Sequence, residues 1–222
     1  MRSEYTSDGL DESELAPTPL QQVRRWVAEA TARQADLGDV AEPTALSVAT
    51  VDADGRPNVR TVLMRFLDAR GPGFVTDLGS AKSRELTANG AVAASLTWAA
   101  MHRAVRFRGR AVLVGRDDID AYFRARPWGS RISAWASDQS RPVADRGALV
   151  AAYERYAALY PDTGSPDDVP VPDTWGGWRI DCDEVELWAG RRDRLHDRLV
   201  YARVTDGDLG TPTAWTVHRR QP

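Results

Sequence analysis

Apolar residues recur at Leu20, Val23, Val27 and Ala30, a spacing of three to four that predicts an amphipathic helix opened by Pro17-Thr18-Pro19 and closed near Gly38. After Glu42-Pro43 the period changes to two. The alternation predicts strands over 45–51 and 59–67, joined through a turn at Asp54-Gly55, and further strands over 73–76, 91–98 and 105–114. Residues 80–89 read as a short helix between strands. Asp117 is expected to cap a helix that runs to Arg124 and stops at Arg126-Pro127, with helical stretches following over 129–137 and 144–160. The segment 161–172 is rich in proline and aspartate and reads as a loop. Closing strands are expected over 178–181, 185–188, 199–204 and 214–218. Many short strands with few helices predict a mainly β, α+β architecture: a small barrel decorated by peripheral helices. Residues 1–16 read as a polar arm and 17–222 as a single domain.

Composition narrows the function classes. A chain of 222 residues, 42% hydrophobic and 27% charged, suits one folded core. A net charge of −3 argues against general nucleic-acid binding, which needs a strong positive field. Cys182 is the only cysteine, so neither an intrachain disulfide nor a multi-cysteine metal site is expected. The polar, acidic first residues lack the apolar stretch of a signal peptide, and no run reaches membrane-spanning length; a cytoplasmic location and no membrane partner are the expectations. Lys82 is the sole lysine among 29 basic residues. Arginine is so common here that it marks function weakly, whereas Lys82 stands out.

The candidate chemistry gathers at Arg194-Leu195-His196-Asp197-Arg198, where one of only three histidines lies between arginines. Guanidinium forks bind anions and imidazole titrates near neutrality, so the pattern suits an anionic, planar, proton-exchanging ligand. A solvent-exposed strand end has the same composition. Trp175, Trp178 and Trp188 read as core or interface aromatics. No dinucleotide fingerprint, Walker loop or zinc spacing is present, and no metal is expected.

Taken in order, R-T-V-L-M-R (60–65), G-S-A-K (79–82), Y-F-R-A-R-P-W-G-S (122–130), W-A-S-D-Q-S-R (135–141), W-G-G-W-R (175–179), E-L-W-A-G (186–190) and R-L-H-D-R (194–198) closely resemble the pyridoxamine/pyridoxine 5′-phosphate oxidase family. The resemblance runs from Arg2 and Tyr5 to Pro222. It implies a Greek-key FMN-binding split β-barrel, a homodimer with flavin mononucleotide (FMN) at the interface, and oxidation of a phosphorylated B6 vitamer by dioxygen to pyridoxal 5′-phosphate. Carried over by residue, the FMN site would use Arg60, Thr61, Val62, Leu63, Arg65, Val75, Thr76 and Lys82, with Gln139 and Ser140 from the other subunit, and Trp175 and Arg198 completing it. Arg65, Tyr122, Arg126 and Ser130 would hold the substrate phosphate, with one helical turn placing Tyr122 and Arg126 on a shared face. Arg194 and His196 would lie over the pyridine ring as the catalytic pair, and Arg2 and Tyr5 belong to an arm that closes over substrate.

Four positions depart from the family pattern. Arg65 stands where lysine is usual, Ala81 where an arginine would reach the FMN phosphate, Ala104 where a glutamine would contact the flavin, and Ala189 where E-F-W-Q-G has glutamine. Arg84 and Arg103 are the candidates to replace the lost cofactor contacts. The departures leave two alternatives: an oxidase of another reduced heterocycle, as in phenazine-type biosynthesis, or a non-catalytic flavin or pyridoxal phosphate binding protein.

Overall fold

The computed structural model describes Tyr5 and residues 9–222. Helix α1 (Pro19–Leu37) starts where expected, with the Thr18 hydroxyl accepting the Gln21 amide and Pro19 in the first turn. It ends at Gly38, whose φ of 67° suits a residue without a side chain. Val23, Trp26 and Ala30 turn inward and pack into the main core with Leu46, Leu96, Phe107, Leu187 and Leu199. Phe107 is fully buried there, and its truncation to alanine would cost about 3–5 kcal/mol.

The sheet contains β1 (Ala45–Val51), β2 (Pro57–Leu63), β3 (Phe66–Asp68), β4 (Gly71–Asp77), β5 (Ala91–Trp98), β6 (Arg103–Leu113), β7 (Trp175–Ala189), β8 (Asp197–Arg203) and β9 (Trp215–Arg219), in the order β2-β1-β5-β6-β7-β4-β3 with β8 and β9 branching from β7. All the pairings are antiparallel. The branch point positions the site. One edge of β7 pairs with β6, whereas the other pairs first with β4 and then with β8. Helices α2 (Ala81–Ala88), α3 (Arg116–Arg124), α4 (Trp128–Ala136) and α5 (Arg146–Leu159) lie outside the sheet. Ile119, Phe123, Ile132, Val169 and Trp175 form a second, smaller core beneath α3 and α4.

Several elements differ from expectation. The strand expected over 59–67 breaks at Met64-Arg65, because the Met64 amide bonds Thr44 O while the Arg65 amide crosses to Gly73 O, both at 2.8 Å. The backbone is handed from the β1 side of the sheet to β4 at this corner. The separate strands expected over 178–181 and 185–188 are one strand, β7. Arg108 faces Glu184 and Gly109 faces Cys182, so Asp183 is an extra, bulged residue and the pairing continues past it. A side chain at Gly109 would fall 1.9 Å from Asp181 O, so only glycine fits the bulge. Helix α3 starts at Arg116 after Gly115, and Asp117 sits in its first turn instead of capping it. Residues 9–16, read as part of a polar arm, pack on the body: Leu10 is buried, and Tyr201 donates its hydroxyl hydrogen to Ala16 O at 2.6 Å.

Candidate active site

At the Trp175 end of β7, Thr76 projects from β4 beside the first turn of α2. Lys82 enters this corner only 8% exposed. Its ammonium donates to Gln139 Oε1 (2.6 Å), Thr76 Oγ1 (3.0 Å) and Ser80 Oγ (3.4 Å), and Thr76 also donates to Gln139 Oε1 (2.7 Å). A buried cation whose hydrogen bonds end on neutral oxygens is under-compensated. Burial, and then the positive charge of Arg60, lower the Lys82 pKa from its ordinary value. Arg60 itself is tied to Glu85 (2.8 Å) and to the Thr50 hydroxyl, so it lines the corner as half of an ion pair. Thr61 is exposed, with Val62, Leu63 and Val75 half-buried nearby on β2 and β4. Gln139 was expected from another subunit, but here it reaches Lys82 of its own chain, because the turn after α4 folds back over β4; Ser140 follows it, exposed, at φ 72°.

Arg126 forms the second cluster. Its guanidinium lies 4.6 Å over the Trp175 ring and 5.7 Å from Phe123, and its Nη1 is buried without a hydrogen-bond partner among the described residues. Trp175 Nε1 is likewise buried and unpartnered. Burial lowers the Arg126 pKa; the charge of Arg65 adds to this and Tyr122 opposes it, so all three share one electrostatic neighbourhood. The route differs from expectation. Helix α3 ends at Arg124, and Arg126 is held in the following turn by its amide bond to Phe123 O (3.1 Å) instead of lying on the helix face with Tyr122. Tyr122 packs edge-on against Phe66 at 5.9 Å. Ser130, half-buried, lies in the first turn of α4. Trp175, expected against the flavin, is the floor under Arg126.

The third cluster lies at the Ala189 end of β7. His196 packs at a tilt against Trp188 (4.9 Å) and edge-on against Tyr5 (5.2 Å), and its Nδ1 accepts the Arg191 amide hydrogen at 3.1 Å. That bond requires an unprotonated Nδ1, so a neutral ring carries its hydrogen on Nε2. Arg194 is exposed and has no partner among the described residues; it and Asp193 both adopt positive φ, 62° and 55°. Arg198 is not free: it makes a two-pronged bond to Glu186 (2.7 and 3.2 Å), the carboxylate that Arg106 and Arg220 also contact. Arg2 lies outside the described residues.

Thr76 pairs with Gly176 and Arg198 with Trp188, so the first and third clusters sit at opposite ends of β7. At the rise of an extended strand these positions are up to about 40 Å apart. Within a single chain the first and third clusters are therefore separate. Sequence reasoning missed Trp188, Glu186 and Asp197 as parts of the third. The signal was present for two of them: Glu186 and Trp188 share a strand face at a spacing of two, next to the Arg198 position of the neighbouring strand. The replacement arginines divide. Arg103 is committed to Glu29 and the Trp26 ring, whereas Arg84 caps Gly79 O at the start of α2, beside Ala81. No helix is long and apolar enough to cross a membrane among the described residues.

Comparison with known proteins gives the family. A family model described as pyridoxamine 5′-phosphate oxidase matches residues 34–160, and one described as the pyridoxine 5′-phosphate oxidase C-terminal dimerisation region matches 175–222. The chain is 47% identical over its full length to the pyridoxine/pyridoxamine 5′-phosphate oxidase of Streptomyces avermitilis, covering 95% of that protein. It is 41% identical over its full length to the protein of that name from Burkholderia multivorans, covering 97% of it. Among solved structures, PhzG from Burkholderia lata, in complex with tetrahydrophenazine-1-carboxylic acid, superposes with a TM-score of 0.83 at 31% identity over 98% of this chain and 100% of that one. A pyridoxamine 5′-phosphate oxidase-related, FMN binding protein of Nostoc punctiforme superposes with a TM-score of 0.68 at 19% identity over 94% and 99% of the two chains, a likeness of fold. The expected split β-barrel is therefore the observed fold. From both family models and these full-length relatives, the chain belongs to the pyridoxamine 5′-phosphate oxidase family, a family of oxidoreductases.

Proposed function

We propose that the protein is an FMN-dependent oxidase of pyridoxamine or pyridoxine 5′-phosphate, acting as a homodimer in which the Lys82–Arg126 end of one copy faces the His196 end of the other. The observation that carries the reading is Arg126: a half-buried guanidinium over Trp175, in the field of Arg65, whose buried Nη1 has no hydrogen-bond partner among the described residues, suits a phosphate oxygen. Each charge-assisted bond there contributes about 1.5–3 kcal/mol. Tyr122 and Ser130 would add neutral donors, and Arg65 a second cation.

The residues also fit the cofactor. Lys82, bonded only to neutral oxygens at the first turn of α2, suits the FMN phosphate, and Thr76, Gln139 and the 60–65 strand would flank it. Held by these residues, FMN would supply the two-electron redox chemistry of the reaction, hydride acceptance and reoxidation by dioxygen to hydrogen peroxide. The protein positions and polarises. His196 would offer its Nε2 hydrogen to the ring hydroxyl of the vitamer, Arg194 would orient the amine or alcohol, and Tyr5 would cover the face left open. Arg198, held by Glu186, would present its remaining donors to the flavin from the second copy.

The likeness to PhzG supports a second reading, oxidation of a reduced tricyclic carboxylic acid. The Arg126 socket, with Tyr122, Arg65 and Ser130, argues for a phosphorylated substrate instead. An anaerobic absorbance titration of FMN-loaded protein with pyridoxine 5′-phosphate separates the readings. Bleaching that air reverses, with pyridoxal 5′-phosphate formed, is expected. A flavin band that neither vitamer bleaches would transfer the case to another heterocycle, and failure to take up FMN would leave a binding protein.

A further inference from the structure

Asp197 follows His196, is only 7% exposed at its side chain, and takes partners from three separate segments. Its Oδ2 accepts the Leu10 amide hydrogen at 2.9 Å and an Arg191 side-chain hydrogen, and its Oδ1 accepts from Arg219. Arg219 in turn grips Glu12 with two bonds, at 2.7 and 2.8 Å. Burial pushes the Asp197 carboxyl pKa up, but the Leu10 amide and the two arginines outweigh it and hold it below its usual value. The chain approaches this cluster so closely at Gly9 (φ 82°) that a side chain there would fall 2.1 Å from Arg191 Nε and 2.3 Å from Asp197 Oδ2.

Arg191 connects the cluster to the site. Its side chain is fixed by Asp197 and its amide donates to His196 Nδ1. Between these two anchors the chain holds consecutive positive φ angles at Asp193 and Arg194, a conformation that non-glycine residues keep only when their surroundings impose it. On the other side, Tyr5 touches His196, Trp188 and His102, four residues before Gly9.

We infer that Asp197 is a positioning residue: through Arg191 it sets the tautomer and orientation of His196 and the placement of Arg194, and through Leu10 it ties the segment following Tyr5 to the same point. One carboxylate thus registers the N-terminal segment against the ring-facing loop. The catalytic relevance of this rests on the function proposed above; the placement of His196 does not.

The test uses protein labelled with nitrogen-15 at its three histidines, with His196→Gln identifying the His196 signals. In the parent, Nδ1 should resonate as a hydrogen-bonded acceptor with the hydrogen on Nε2. In Asp197→Asn, the Nδ1 signal should move to the free-imidazole position. In the FMN-loaded enzyme, kcat should fall about 10- to 100-fold, the scale of a misplaced reacting group, while flavin affinity stays within a factor of two or so. Asp197→Glu should recover part of the loss. Should Asp197→Asn fail to fold, Arg191→Gln removes one limb of the cluster and is read the same way. An unchanged Nδ1 signal in the folded variant overturns the inference. A parent that oxidises neither vitamer, yet shows a bonded Nδ1 that the variant loses, would refute the function and retain the inference.

Discussion

At the Trp175 end of β7, Lys82 and Arg126 have no carboxylate in contact among the described residues, while at the Ala189 end the buried carboxylates have several cations each. Lys82 is buried with its hydrogen bonds on neutral oxygens, and half-buried Arg126 has a buried Nη1 with no hydrogen-bond partner among the described residues. Glu186 is contacted by Arg106, Arg198 and Arg220, and Asp197 by Arg191 and Arg219. The first end holds desolvated positive charge that an arriving phosphate would neutralise. The second has neutralised its own charges and uses them to fix geometry, leaving Arg194 exposed and free. Under the proposed function, binding and positioning fall to different ends of one strand.

The contrast can be broken by substitution. Glu186→Gln should have the largest effect on stability, about 3 kcal/mol, because it leaves several arginines around a site that is 4% exposed; denaturant midpoints measure it. Arg126→Ala should raise KM for the phosphorylated vitamer about 10- to 100-fold, the loss of one charge-assisted bond, with kcat much less affected. Steady-state kinetics separate these parameters. Lys82→Met should weaken FMN about tenfold in a flavin-fluorescence titration while leaving the cofactor-free protein as stable or about 1 kcal/mol more so, since a buried cation is removed. A loss of stability instead would mean that Lys82 is structural.

The smallest effect is in pH. The Asp197 carboxyl is held below its usual value, so its contribution is complete above the ordinary aspartate pKa and is lost as pH falls through the lowered one. Protection of the Leu10 amide from hydrogen exchange, relative to its intrinsic rate, should therefore persist at neutral pH and begin to fall only below about pH 4. Asp197→Asn should abolish that dependence.

Much of the fold was legible because α1 and the β strands express their periods cleanly. The break at Met64-Arg65 was not, since a corner is set by which carbonyl accepts the next amide, and the two acceptors, Thr44 just before β1 and Gly73 in β4, lie far apart in the sequence. The continuity of β7 was hidden by Asp181-Cys182-Asp183, which reads as a turn until Gly109 opposite admits a bulge. In the candidate site, His196, Arg194, Arg126 and Lys82 were proposed from motifs. Asp197 was passed over because its bond to Leu10 spans 187 residues and has no local signature. The contact between Arg126 and the Trp175 ring had no signal in the sequence, because it depends on the turn after α3.

The central claim is that the two ends of β7 act on one ligand only across two copies of the chain. The direct measurement mixes Arg126→Ala and Arg194→Ala proteins under conditions that exchange subunits and assays them at substrate far below the parent KM, where the raised KM of the first and the lost orientation of the second leave each with little activity. If the site is shared, a mixed dimer contains one site with both defects and one with neither, so about a quarter of the parent activity should return at equal mixing. If each site is built within one chain, every site retains a defect, and no activity would return.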